Sequence, residues 1–263
     1  MTEPRPGSSG EEGSRSPSFP DHFSDRATGY ARFRPSYPRE LVEWLAHLAP
    51  GKALAWDAGC GSGQLSVRLA DRFEHVVATD ASPSQLERAT PHPRVEYRQG
   101  LAEDSGLPPG SVDLATAAQA AHWFDLDAYY REVRRAGAPG AVLALISYGM
   151  PAIDSPADQV LKRFHDQVLA AHWPPDRRHV EEGYRSIPFP FAELEAPSFG
   201  LTAEWTREEL LGYLETWSTM ARLEEEEGRG RIEVFRKEFL EAWGSEKRTR
   251  TVVWPLALRV GRL

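Results

Sequence analysis

Two acids and a set of glycines form the stretch of this sequence best suited to chemistry. An apolar run from Ala53 to Trp56 ends in Asp57, and glycines follow at Gly59, Gly61 and Gly63. A second apolar run, Val76-Val77-Ala78-Thr79, ends in Asp80. Glycine lets a ligand approach the backbone without meeting a Cβ. A carboxylate at each tip can accept two hydroxyls or hold a cation. The layout is strand, tight turn, helix, and a second strand tipped by an acid. A βαβ unit of this kind binds an adenosine-containing cofactor at the carboxyl ends of its strands. The glycine spacing narrows the choice. A dinucleotide fingerprint, G-x-G-x-x-G, needs its third glycine at position 64, where this chain has Gln64. The spacing here is G-x-G-x-G behind an acid that would repel a pyrophosphate, so hydride transfer with a nicotinamide dinucleotide is set aside.

Composition removes other classes. Cys60 is the only cysteine, which excludes an internal disulfide, a thiolate zinc cluster and a three-cysteine iron–sulfur site. A cytoplasmic location follows by default, and Cys60 itself reads as a small residue packed in the turn. No His-x-x-x-His pair falls on a predicted helix, so no metal is expected. The net charge of −8 disfavours nucleic acid, whose affinity comes largely from Lys and Arg; Arg134-Arg135, Arg177-Arg178 and Lys247-Arg248 are each short. No apolar stretch approaches the roughly 18–20 residues of a membrane span. The first 20 residues, rich in Pro, Gly, Ser and Glu, read as a disordered tail without a secretory h-region.

The elements that must position the two acids can be read from periodicity. Arg39 to Leu48 is amphipathic, with Leu41, Val42, Leu45 and Leu48 on one stripe. A strand near 53–57, helix Gln64–Arg72, strand 75–79, helix Ser82–Ala89, strands 94–98 and 112–118, helix 126–135 and strand 141–147 then alternate. Ser82 could cap its helix, with Pro83 at the first position. The class predicted is α/β: a doubly wound Rossmann-like sheet with an inserted helical cap. The division expected is a tail over 1–20, a cofactor-binding core over 21–148, a helical cap over 149–245 and a terminal strand over 246–263 returning to the core sheet. Within the cap, the run Glu224–Glu227 reads as a solvated helix end.

The pattern D-x-G-x-G-x-G at Asp57, Gly59, Gly61 and Gly63 resembles the first motif of class I S-adenosylmethionine (SAM)-dependent methyltransferases. Further stretches resemble one subgroup. These are Phe23-Ser24-Asp25-Arg26-Ala27, the segment Tyr30 to Pro38, Gln99-Gly100-Leu101-Ala102-Glu103, and Asp113 to Asp125 with its Gln119-Ala120-Ala121-His122-Trp123-Phe124. Together they resemble the methyltransferase type 11 domain and, within it, trans-aconitate methyltransferase-like proteins. The resemblance covers about 20–148 well, and the chain beyond 200 weakly. It implies SAM as cofactor, with Asp57, Gly59, Gly61 and Gly63 at the methionine part and Asp80 on the ribose. It also implies Ala81 and Gln85 near the adenine, Ala102 and Glu103 on its edge, and Gln119 and His122 beside the sulfonium. Where many relatives carry Asp, this chain has Leu101, so the adenine amino group would need a backbone carbonyl or Glu103.

Methyl transfer from a sulfonium is an in-line displacement on an activated carbon, so positioning dominates and is worth roughly 7–11 kcal/mol. A carboxylate acceptor needs no base. An alcohol or phenol would need one, and His122 is the candidate; its other reading is a hydrogen-bonded structural histidine. Tyr30, Tyr37 and Trp123 are candidate walls of a substrate pocket, with Phe124 as core. Arg34 is a candidate for a substrate carboxylate; Arg177 and Arg178 are either the same or solvated. The favoured substrate is a small, carboxylate-bearing metabolite. The alternatives are a macromolecule (tRNA or protein) and a SAM-binding module without turnover. Oligomeric state is not readable.

Overall fold

The computed structural model describes residues 36–263, so Tyr30, Arg34 and the 1–20 segment lie outside the described residues. Strands β1 (Leu54–Ala58), β2 (His75–Asp80), β3 (Val95–Gln99), β4 (Val112–Ala118) and β5 (Gly137–Tyr148) are parallel, in the order β3-β2-β1-β4-β5. The chain winds outward from β1 through β2 to β3, then returns to β4 on the other side of β1. That reversal opens a crevice beyond the carboxyl ends of β1 and β4, where open α/β sheets bind ligands.

Both faces of the sheet are covered, which is why its strands read as nearly unbroken apolar runs. Side chains alternate between the faces. Val142, Ala144 and Ile146 pack with Leu41 and Leu45 of α1 (Arg39–Leu48) and Leu69 of α2 (Gln64–Leu69). Trp56, Leu143 and Leu145 pack on the other face with Tyr129 and Val133 of α4 (Leu126–Ala136). Asp125 caps α4 by accepting from the Ala128 amide at 3.1 Å. Helix α3 (Pro83–Leu86) is shorter than the expected 82–89, because the chain leaves it through i→i−3 bonds at Arg88 and Ala89. Ser82 occupies the cap position, but its hydroxyl meets that of Ser84 at 3.0 Å rather than a helix amide.

Strand β9 (Arg250–Arg262) lies antiparallel beside β5, from Val142↔Arg262 to Tyr148↔Leu256. The interval 149–245 is not helical throughout. It holds β6 (Ala152–Ile153), β7 (Ala192–Leu194) and β8 (Gly200–Trp205), all antiparallel to β9. The short run of β8 gains its partner only from a segment about fifty residues later in the chain, which local periodicity cannot see. Helices α5 (Ala157–Gln167), α6 (Arg177–Glu181), α7 (Arg207–Glu215), α8 (Ser218–Glu227) and α9 (Gly230–Trp243) make up the rest. Phe164 of α5 stacks on Phe235 of α9 with centroids 4.0 Å apart. The acidic end of α8 is more than solvated: Glu226 and Glu227 flank the buried His172 at 2.8 and 3.3 Å. Among the described residues, no helix is long and apolar enough to cross a membrane.

Candidate functional site

A cleft opens at the tips of β1, β2 and β4. The turn after β1 builds its floor. Gly59 and Gly61 hold left-handed backbone, with φ of +66° and +54°. A Cβ on Gly59 would lie 2.5 Å from that of Ala120, so this glycine is also required by packing. A Cβ on Gly61 would meet nothing nearer than Gln85 Oε1 at 3.8 Å, so its main chain faces open space in the cleft. The Gly61 amide donates to Asp80 Oδ2 at 2.7 Å, and the Ser82 amide donates to Asp80 Oδ1 at 2.9 Å. Two backbone donors thus fix the carboxylate at the tip of β2.

Asp57 is buried at the tip of β1 and accepts from the hydroxyls of Ser66 (2.6 Å) and Thr116 (2.8 Å). Burial pushes its carboxyl up to about 6, against those two donors, and the nearby Asp80 charge pushes it the same way. A cationic group beside Asp57 would reverse that shift. Gln119 follows the last residue of β4 with a positive φ of 56° and donates from Nε2 to the Tyr148 carbonyl at 2.8 Å. Its Oε1 is buried with no hydrogen-bond partner among the described residues. An amide oxygen left in that state is costly unless a ligand completes it.

The candidate cofactor residues Asp57, Gly59, Gly61, Asp80, Ala81, Gln85, Ala102, Glu103 and Gln119 and the candidate substrate residues Tyr37 and Trp123 all line this cleft. Leu101 lines it too, 48% exposed, and presents an apolar surface without a polar acceptor. Glu103 Oε1 is occupied by the Asp125 amide at 2.8 Å, so part of its acceptor capacity holds the start of α4. Cys60 also lines the cleft, and burial pushes its thiol up, away from reactivity. Phe124, expected in the core, reaches both places: it packs edge-on to Tyr129 at 4.9 Å and lines the cleft.

Among the described residues, two predicted ones stand outside the lining. Gly63 opens α2 with a φ of +81°, and a Cβ there would lie 2.0 Å from the Tyr97 hydroxyl. Close packing against Tyr97 therefore explains this glycine without a ligand. His122 sits on the 3₁₀ turn Ala121–Trp123 after β4, with Nδ1 2.9 Å from the hydroxyl of Tyr184. Burial, with the charges of Arg177 and His179, pushes its imidazole down to about 3, so it is neutral at physiological pH. Tyr184 is fully buried, and nothing local in the sequence pairs it with a histidine 62 positions away. The hydroxyls of Ser66 and Thr116 that orient Asp57 were likewise missed; only the packing of α2 and β4 around β1 brings them there.

A parallel sheet that reverses at β1, with an acid on each of two tips and a glycine turn between them, defines a nucleoside-binding methyltransferase-type fold. The comparisons agree. Residues 56–145 match the family model described as a methyltransferase domain. A protein assigned as a methyltransferase in Dictyostelium discoideum is 36% identical over 207 residues, which cover 77% of this chain and 79% of that protein. The chain belongs to the methyltransferase family, and it is a SAM-dependent enzyme with S-adenosylmethionine as cofactor. A solved structure from Anaeromyxobacter dehalogenans, of a protein assigned as a type II methyltransferase, superposes with a TM-score of 0.84 at 48% identity, covering 88% of this chain and 98% of that one. A malonyl-[acyl-carrier protein] O-methyltransferase of Dechloromonas aromatica is 43% identical over 112 residues, or 41% of each chain.

Proposed function

We propose that the enzyme methylates a small, carboxylate-bearing metabolite held between the cofactor cleft and a cap formed by 149–245. The observation that carries this reading is the state of His122. An imidazole pushed down to about 3, with Nδ1 engaged by Tyr184, is a poor base for an alcohol or phenol. A carboxylate is already ionised and asks nothing of it. His122 then takes the structural one of its two expected roles, joining the turn after β4 to the cap. The Dechloromonas relative, named for O-methylation of a malonyl group, fits a carboxylate acceptor, although it aligns with less than half of this chain. The single cysteine fits a cytoplasmic setting.

When bound, SAM supplies a methyl group already activated on a sulfonium. The residues present suit it. Asp57 would receive the ammonium of the methionine part, Asp80 would accept the ribose hydroxyls, and the open main chain at Gly61 would lie against the ligand. Ala81, Gln85, Ala102 and Leu101 would enclose the adenine, with Glu103 at its edge. Gln119 Oε1 would find its missing partner at the reactive end, where Trp123 and Tyr37 would exclude water.

The test is methyl-labelled SAM incubated with purified protein and a cell extract separated by size. Label in the small-molecule fraction, released by mild base as from an ester, is the expected result. Label in RNA or protein would recast the cap as a docking surface. SAM binding without label in any fraction would mean a binding module without turnover.

A further inference from the structure

Among the described residues, arginines withdrawn from solvent are hydrogen-bonded, with one exception near the site. Arg259, its side chain 14% exposed, holds Glu193 through two nitrogens and donates to the carbonyls of Tyr184 and Ile187. Arg177 is nearly as withdrawn, its side chain 20% exposed, yet no described residue hydrogen-bonds it. Its Nε is buried without a partner. Its ion-pair partner Glu181 stands 3.9 Å from that nitrogen, beyond hydrogen-bond reach. The guanidinium lies over the ring of Trp173 at 4.4 Å, and the indole nitrogen of Trp173 is itself buried and unpartnered. A cation withdrawn to this extent, with its buried Nε unmatched and its ion-pair partner 3.9 Å away, is costly, and burial lowers its pKa accordingly.

Its position gives the cost a purpose. Helix α6 packs against β5 and the Ala121–Trp123 turn, so Arg177 is carried to the cap side of the cleft. Its charge is felt at His122, and Tyr148, Tyr184 and Tyr213 lie within its electrostatic reach. The carbonyl of Tyr148 receives Gln119, and Gln119 and Trp123 line the cofactor cleft. The helix that carries Arg177 thus borders the turn that carries Trp123 of the cleft wall.

We propose that Arg177 is the substrate-binding residue that holds a carboxylate of the methyl acceptor, with Trp173 backing its guanidinium. This rests on the methyl-transfer reading above. The planar fork presents paired N–H donors that match a carboxylate, and stacking on Trp173 fixes its plane before the acceptor arrives. Arg178 makes the same i,i+4 pairing, 3.6 Å from Glu182, but its side chain is 69% exposed, the solvated arrangement.

Full-length wild type, Arg177→Gln, Arg177→Lys and Arg178→Gln test this. Three readouts are needed: melting temperature, SAM affinity by calorimetry, and transfer of label from methyl-labelled SAM into the small-molecule fraction of a cell extract. Serial dilution of the extract gives an apparent KM. Arg177→Gln is expected to keep its fold and SAM affinity while apparent KM rises about 10- to 150-fold, the loss typical of a charged hydrogen-bond partner. Arg177→Lys, which keeps the charge and loses the fork, falls between, and Arg178→Gln behaves as wild type. An Arg177→Gln enzyme with wild-type KM overturns the proposal, as does an equal loss in Arg178→Gln. Should Arg177→Gln not fold, wild-type KM in Arg177→Lys overturns it. Intact SAM binding with unchanged KM defeats the anchor alone. Label confined to RNA or protein, or absence of SAM binding by the wild type, defeats the small-metabolite reading with it.

Discussion

The two sides of the cleft are built by different means. The cofactor side is made within one stretch of chain, from strand tips, backbone amides and two carboxylates whose placement follows from the turn after β1. The cap side is assembled from distant segments: His122 meets Tyr184, and Trp173 packs on Trp217 with centroids 5.6 Å apart. On the first side, geometry is dictated by backbone conformation, which tolerates little change. On the second it is dictated by aromatic packing around two withdrawn, weakly satisfied basic groups. With the substrate role proposed for the cap side, cofactor and substrate recognition would be separable here, and variants should divide along the same line.

The largest effect is expected where backbone and packing coincide. Gly59→Ala adds a Cβ 2.5 Å from that of Ala120 at a φ of +66°. It should cost about 2–5 kcal/mol of stability in chemical denaturation, from strain and overpacking together. A loss under about 1 kcal/mol would show that the turn relaxes and that its geometry is not fixed by packing. Next is Asp80→Ala, which removes a charged acceptor and should weaken SAM by about 10- to 150-fold in calorimetry. Unchanged affinity there would break the assignment of the ribose.

Asp57→Asn separates stability from function on the cofactor side. The carboxyl is raised to about 6 from 3.8, so the folded protein prefers it protonated. That preference contributes stability below about pH 4, and the contribution is lost as pH rises through about 6. The variant should therefore be more stable than wild type by about 1–3 kcal/mol at pH 8, with little gain at pH 4, while SAM binding falls. Equal stability at both values would mean that burial of the charge is better compensated than the two hydroxyls suggest. The smallest effect belongs to the cap side. With its imidazole already neutral, His122 should give no inflection in the rate profile between pH 5 and 8, and His122→Gln should change turnover less than Asp80→Ala changes SAM affinity. A rate that follows a group of pKa near 6.5 and is abolished in His122→Gln would restore the histidine as a base.

Legibility followed the same division. The succession of strands along the chain through β5, the helix α4 and the grouping of Asp57, Asp80, Ala81, Gln85 and Gln119 around one cleft could all be read in sequence. The role of Gly63 could not, because the reason for that glycine is Tyr97, on β3. Strand β8 escaped notice because its hydrogen bonds lie with β9, and the acidic end of α8 because His172 comes to it from another helix. Arg177 and Arg178 are adjacent and chemically identical, and the sequence offered the same two readings for both. Only their opposite burial separates them.

By itself, then, the sequence determined the cofactor side: glycine spacing and acids after apolar runs act through local backbone geometry, and they carry their consequences wherever the chain folds. The tertiary structure alone decided which arginine is withdrawn from water, which histidine is held neutral and which tyrosine holds it. Desolvation depends on what comes to cover a group, and here the covering residues arrive from segments tens of positions away.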